Sequence, residues 1–80
     1  MLIIGIFRSM KKIPMILKRI KAARLDKGYT QDYMAYQLKI SQISYYKIES
    51  GKTELKVKTI LELAKILEVA ESYLLGCASK

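Results

Sequence analysis

Histidine is absent from the eighty-residue sequence, and cysteine and proline each occur once. Because histidine is the commonest general base and a frequent metal ligand, its absence argues against acid–base catalysis and metal binding. The acidic residues are scattered singly, so the sequence predicts a protein that is not an enzyme and has no cofactor and no metal. The lone cysteine, Cys77, cannot form an internal disulfide, which excludes a disulfide-stapled secreted scaffold and predicts an ordinary free thiol.

Long apolar runs are also lacking. The apolar run over residues 1–7 is much shorter than the roughly 20 apolar residues of a transmembrane helix. Basic residues follow this run, whereas a signal peptide carries them in front of it. The sequence therefore predicts a cytoplasmic protein with no membrane partner. Docking of the run and its basic neighbours on an anionic lipid surface is the weaker alternative.

Acidic residues are few, since seven Asp and Glu oppose fifteen Lys and Arg and leave a formal net charge of +8. Such an excess predicts a polyanionic partner, with nucleic acid as the first candidate. Residues 1–28 hold eight basic residues and one acidic residue, whereas residues 29–80 hold seven and six. The first segment thus has a net charge of +7 and the second of only +1.

We divide the chain into an apolar and basic arm, residues 1–14, and a domain, residues 15–77. Three interpretations of the arm stay open. It could lie along the DNA backbone or minor groove, as basic extensions do in other folds. Its apolar tip, residues 2–7, could pack against a partner subunit, which is the interpretation we favour. It could also be a dispensable leader, with Met10 or Met15 as the true start.

Apolar residues after Pro14 recur at helical spacing, and no stretch alternates long enough to predict a strand. Pro14 suits the first turn of a helix, because its missing N–H would have no partner there. Gly28 predicts the end of this helix near Lys27. A fourth helix would bury an apolar stripe, and a short fifth helix would cover residues 72–75. The stripe consists of Val57, Ile60, Leu61, Ala64 and Leu67. The sequence thus predicts an all-α domain of five short helices.

The middle of the chain carries the most informative pattern. Thr30 and Ser41 are good N-caps, and they predict helices over residues 31–38 and 42–49. Two such helices joined by a short turn form a helix-turn-helix, whose second helix enters the major groove of DNA. Lys39 and Ile40 make the tight turn between the two helices.

The second of these helices has two faces. Tyr45 and Ile48 are three residues apart and point inward together. The opposite, outer face is shared by Gln42, Ile43, Tyr46 and Lys47.

Residues 16–76 resemble the phage-repressor and Cro-type helix-turn-helix family, often called the XRE family. The resemblance covers about three quarters of the chain. Each matching element alone is weak evidence for the family, but together, in this order and at these spacings, the elements are strong evidence. The matching positions are Arg24, Gly28, Thr30, Gln31, Ala35, Leu38, Ile40, Ser41, residues 48–52, residues 63–69, Leu74 and Leu75. The resemblance implies a compact five-helix lambda-repressor-like DNA-binding domain.

The resemblance also implies a DNA-contacting surface and a structural ion pair between Arg24 and Glu49. The implied DNA-contacting residues are Gln31, Ser41, Gln42, Ile43, Ser44, Tyr46, Lys47 and Lys52. Among them Gln42, Ile43 and Lys47 occupy the positions that read base edges. Glutamine can pair with adenine and lysine with guanine, each contact contributing about 1–3 kcal/mol of discrimination, whereas isoleucine could contact only a thymine methyl.

We therefore expect a transcriptional regulator, most simply a repressor, that binds a pseudo-palindromic operator in double-stranded DNA as a homodimer. The half-sites would lie about 34–36 Å apart. We expect the dimer to form through an exposed apolar edge around Leu74, Leu75 and the preceding helix, to which the arm could contribute. One alternative is the antitoxin of a toxin–antitoxin pair or the controller of a restriction–modification system. Another is a helix-turn-helix used only for protein contacts, with little salt-dependent DNA binding.

Overall fold

Five α-helices make up the part of the chain that the structure describes, in agreement with the predicted all-α class. The computed structural model describes the backbone of residues 2–76 and the side chains of residues 13–76. Cys77 and the side chains of the apolar tip lie outside these ranges, so the predictions about them stay predictions. The helices are α1 (Leu2–Lys27), α2 (Gln31–Leu38), α3 (Gln42–Ser50), α4 (Val57–Leu67) and α5 (Glu71–Leu75).

Hydroxyl side chains cap α2 and α3 at the amino-terminal ends that the sequence predicts. The Thr30 hydroxyl accepts a hydrogen bond from the backbone N–H of Tyr33 at 3.0 Å, and the Ser41 hydroxyl accepts one from Ser44 at 3.0 Å. Each cap satisfies a backbone donor that the helix itself leaves unpaired. Gly51 ends α3 in the left-handed conformation, with φ of 81°.

The predicted start of the first helix at Pro14 is wrong, because α1 begins at Leu2 and contains Pro14. Proline cannot donate a hydrogen bond to the carbonyl group four residues earlier, and this usually favours a place in the first turn. Here the lysine, leucine and methionine residues around it favour a helix, and the helix continues through the proline. α1 therefore runs through the predicted boundary between the arm and the domain.

The core forms where α1, α2 and α3 meet α4 and α5. Its buried apolar side chains are Ile16, Ile20, Ala23, Met34, Ala35, Tyr45, Ile60, Leu63, Ala64, Leu67 and Leu74. The predicted burial of Val57 is wrong: this side chain is 67% exposed, because it stands at the first position of α4, where the core does not reach it. Leu63, which the predicted stripe omitted, is fully buried instead.

The predicted exposed edge at Leu74 is also wrong. Leu74 is fully buried, because α5 folds back against α1 and α4 and inserts this side chain between them. Leu75 is half-buried. Leu74 is thus a core residue and is not available for a dimer contact, and the homodimer itself stays a prediction. Among the residues that the structure describes, the helices are not long and apolar enough to cross a membrane.

Lys39 ends α2 in the left-handed conformation, with φ of 61° and ψ of 42°. Replacing Lys39 with glycine is expected to raise the free energy of unfolding by about 1 kcal/mol, since glycine adopts this conformation without a steric cost. Lys39→Ala removes the same charge but keeps the Cβ atom, so it should give no comparable gain. Urea unfolding measures both variants. An equal gain in both would show that the charge, and not the backbone, is responsible.

Candidate nucleic-acid interface

The outer face of α3 presents the predicted reading residues to solvent. Gln42, Ile43, Tyr46 and Lys47 are all exposed, with Ile43 at 69% and Tyr46 at 47%. Since successive residues of a helix are rotated by about 100°, Ile43 and Tyr46 fall between Gln42 and Lys47 around the helix. The centre of this face therefore consists of an aliphatic side chain and an aromatic ring, and its two margins carry an amide and an ammonium group. We call these four residues the reading face.

The amino-terminal end of α3 is organised by two serines. In addition to its capping bond, the Ser41 hydroxyl donates a hydrogen bond to the Ser44 hydroxyl at 2.9 Å. Both side chains are exposed, but helical rotation places Ser44 on the flank of the reading face and not within it. The backbone N–H groups and the positive end of the helix dipole favour an anion such as a phosphate at this point.

A buried carboxylate fixes α3 from behind. The two oxygens of Glu49 accept hydrogen bonds from Arg24 Nε at 2.8 Å and Arg24 Nη2 at 3.0 Å, so the predicted partners form a bidentate ion pair. The Tyr45 hydroxyl donates to the same carboxylate at 2.6 Å, and Gln31 Nε2 donates at 3.0 Å. Arg24 also donates to the backbone carbonyl of Tyr29 at 2.9 Å. We call Arg24, Gln31, Tyr45 and Glu49 the Glu49 network.

The Glu49 network links α1, α2 and α3, because side chains from all three helices bond to each other at the Glu49 carboxylate. Burial by itself would raise the pKa of Glu49, but hydrogen bonds from Arg24, Tyr45 and Gln31 outweigh it and lower the pKa. The hydrogen bond to Glu49 likewise raises the pKa of Arg24. Burial, reinforced by the hydrogen bond to Glu49, raises the pKa of Tyr45. These directions describe an ionised carboxylate and guanidinium, with a neutral phenol that keeps its proton.

Gln31 is tied to the fold but keeps part of its side chain at the surface. Its side chain is half-buried, and one N–H of its amide is directed to Glu49. The same nitrogen carries a second N–H, which can donate to a phosphate. Gln31 is thus held in place by the Glu49 network at the first residue of α2.

The loop after α3 returns to the reading face. The backbone N–H of Lys52 donates to the carbonyl of Lys47 at 2.9 Å, and Gly51 supplies the left-handed turn between them. The Lys52 ammonium lies 5.6 Å from the centroid of the Tyr46 ring, which is within cation–π distance. A positive charge thus stands directly beside the centre of the reading face.

Comparison with known families matches residues 20–74 to the family described as Helix-turn-helix. The chain belongs to this helix-turn-helix family, in its XRE, Cro/C1-like branch. It is 43% identical over 58 residues to the SPbeta prophage-derived uncharacterized HTH-type transcriptional regulator YonR of Bacillus subtilis. This match covers 72% of this chain and 54% of that protein. It is 36% identical over 61 residues to the uncharacterized HTH-type transcriptional regulator YqaE of the same organism, covering 76% and 53%. The chain therefore spans about half the length of these curated relatives. No solved structure matches it significantly.

The structure of this helix-turn-helix brings most of the candidate residues to one side of α3. The reading face and Lys52 lie together, whereas Ser41 and Ser44 lie at the amino-terminal end of α3 and on its flank, and Gln31 lies at the start of α2. The sequence predicts Tyr45 only as a core side chain, so the hydrogen bond from its hydroxyl to Glu49 was not predicted. The spacing of Tyr45 and Glu49, four residues apart on one helix, was the available signal.

The sequence also did not predict a groove that lies beside the helix-turn-helix. A groove of about 400 Å³ between α3 and the following loop is lined by Ser44, Lys47, Ile48, Thr53, Lys56 and neighbouring residues. Lys56 adds a further exposed basic side chain here. The turn after α3 brings Lys56 close to this helix, and no residue near Lys56 in the sequence indicates that approach.

Proposed function

We propose that this XRE-family protein is a sequence-specific repressor that inserts α3 into the major groove of its operator. The observation that carries the proposal is the reading face: four exposed side chains stand on a helix whose opposite side is buried and held by the Glu49 network. A helix backed in this way can present side chains to base edges in one fixed orientation. Both curated relatives are named as HTH-type transcriptional regulators, which supports the same class of activity.

The proposed contacts divide into base readers and phosphate binders. Gln42 would pair with adenine and Lys47 with guanine, since these side chains match the hydrogen-bonding groups of the two bases. Gln31, Ser41 and Lys52 would hold the phosphate backbone and fix the position of α3. Tyr46 and Ser44 lie beside these contacts. Repression follows most simply from occupancy, because a domain seated on a promoter excludes the transcription machinery.

A single reading face contacts too few bases to specify one operator. We therefore propose that two copies bind a pseudo-palindrome whose half-sites are about 34–36 Å apart, one turn of DNA. In such a complex each copy supplies one α3, and the symmetry of the operator mirrors that of the dimer.

Selection of bound sequences from a random duplex pool tests the proposal. The wild-type protein is expected to enrich an inverted repeat, and Gln42→Ala/Lys47→Ala is expected to lose it. Gln37→Ala/Lys65→Ala is the matched control, since it removes the same two residue types from an exposed groove on α2 and α4. This control should enrich the wild-type motif. Enrichment of no motif by the wild type, or of the same motif by the reading-face variant, would contradict the proposal.

A further inference from the structure

The centre of the reading face is unusual for a surface that contacts a polar groove. Ile43 is 69% exposed, and Tyr46, one helical turn further on, is 47% exposed. Isoleucine has neither a donor nor an acceptor in its side chain, so it cannot recognise the hydrogen-bonding pattern of a base edge. An apolar group at this place can gain affinity only by covering another apolar group.

The major groove offers one apolar feature that depends on sequence. It is the methyl group at C5 of thymine, because the other unmodified base edges carry no methyl group there. Methylated cytosine carries a methyl group at the same ring position. An apolar side chain in the middle of the groove can therefore distinguish methylated from unmethylated pyrimidines, because only the methylated bases offer it a methyl group to contact.

We propose that Ile43 and Tyr46 form a methyl-reading strip, which requires a C5-methylated pyrimidine, thymine or 5-methylcytosine, at one position of each half-site. This inference rests on the proposed function and names the base class that the centre of α3 recognises. The hydrogen-bonding contacts of Gln42 and Lys47 then lie on either side of this position.

The side chains of the methyl-reading strip are held in place by their surroundings, as contact with a methyl group requires. Ile43 is branched at Cβ, so one side-chain rotamer dominates on a helix and little entropy is lost on contact. The Lys52 ammonium, 5.6 Å from the Tyr46 ring centroid, borders the ring on one side. Behind the strip, Tyr45 is fully buried and α3 is tied to α1 and α2. A methyl group would thus meet a surface that is already ordered.

The test uses the duplex that the wild-type protein selects and measures its affinity by fluorescence anisotropy. Each thymine of a half-site is replaced in turn by deoxyuridine, which removes only the methyl group. At one position per half-site the affinity is expected to fall about fourfold, the effect of exposing one methyl-sized apolar group. At that same position 5-methylcytosine is expected to bind about fourfold better than cytosine.

Variants then assign the effect to the strip. Ile43→Ala is expected to bind the thymine and deoxyuridine duplexes nearly equally, while it keeps its preference at the positions read by Gln42 and Lys47. Because Ile43 is exposed and alanine favours helices, this variant should fold normally. Leu25→Ala is the matched control, since it truncates an apolar side chain that is 58% exposed on α1. It should discriminate as the wild type does.

The outcomes separate the two proposals. A selected half-site without thymine, or an affinity that no deoxyuridine substitution lowers, overturns the methyl-reading strip and leaves the proposed function standing. Retention of the discrimination by Ile43→Ala also overturns it. If the wild-type protein enriches no motif, the proposed function fails, and the strip fails with it.

Discussion

Replacing Glu49 with alanine is expected to lower the free energy of unfolding by about 3–5 kcal/mol, because it leaves the buried Arg24 guanidinium without its counter-charge. The side chains of Arg24 and Glu49 are only 8% and 3% exposed, so water cannot take the place of the lost carboxylate. The Tyr45 hydroxyl and the Gln31 amide lose their acceptor as well. A domain of this size has a total stability of about 4–12 kcal/mol, so this one change removes a large part of it.

Two controls separate charge from packing in this experiment. Glu54→Ala removes an exposed carboxylate close in sequence and should change the stability by less than about 0.5 kcal/mol. Arg24→Met/Glu49→Leu removes both charges and should be less destabilising than Glu49→Ala alone, because no charge is left buried and unpaired. Urea unfolding followed by circular dichroism gives all three values. A loss below about 1 kcal/mol for Glu49→Ala would contradict the importance of the Glu49 network.

The same carboxylate determines how the fold responds to acid. Hydrogen bonds from the Glu49 network hold the pKa of Glu49 below its usual value of 4.5, so the unfolded chain takes up a proton more readily than the folded one. Its contribution is therefore fully present above about pH 4.5 and is lost as the pH falls through the lower value of the folded state. Stability measured across this range should fall less steeply in Arg24→Met/Glu49→Leu than in the wild type.

Gln42→Ala and Lys52→Ala are expected to weaken DNA binding in two different ways. Loss of Gln42 removes a base contact, so affinity for the selected operator should fall by about 1–3 kcal/mol per half-site, with little change for unrelated duplexes. Loss of Lys52 removes a phosphate contact, so binding to every sequence should weaken. The slope of log affinity against log salt should also become shallower by about one per phosphate contact.

Fluorescence anisotropy with the operator and a scrambled duplex, at several salt concentrations, distinguishes these effects. Lys65→Ala is the control for charge, since it removes an exposed lysine from the groove between α2 and α4. It should leave the operator affinity and the salt slope near their wild-type values. If Lys52→Ala relaxed the choice of sequence while its salt slope stayed unchanged, Lys52 would be a base reader instead.

The sequence predicts those parts of the fold that depend on short-range chemistry. Thr30 and Ser41 define the starts of α2 and α3, because a hydroxyl at an N-cap acts on backbone groups only three residues away. Lys39 shows its left-handed conformation where the helix-turn-helix pattern requires a turn. The exposed face of α3 follows in the same way from helical periodicity.

The features that the sequence did not predict depend on distant parts of the chain. Leu74 is buried only because α5 folds back on α1 and α4, and Val57 is exposed because the core ends before it. Nothing local to either residue carries that information. The pairing of Arg24 with Glu49 was expected from a family resemblance alone, whereas the added donors, Tyr45 and Gln31, required three helices to be in place.

The four hydrogen bonds on Glu49 have a consequence for the DNA as well as for the protein. An α3 tied in this way to α1 and α2 cannot tilt to suit an imperfect site without breaking buried hydrogen bonds. In the proposed complex the duplex would have to bend or twist to bring both half-sites into register. The stiffness of base pairs that no side chain touches would then contribute to the choice of operator.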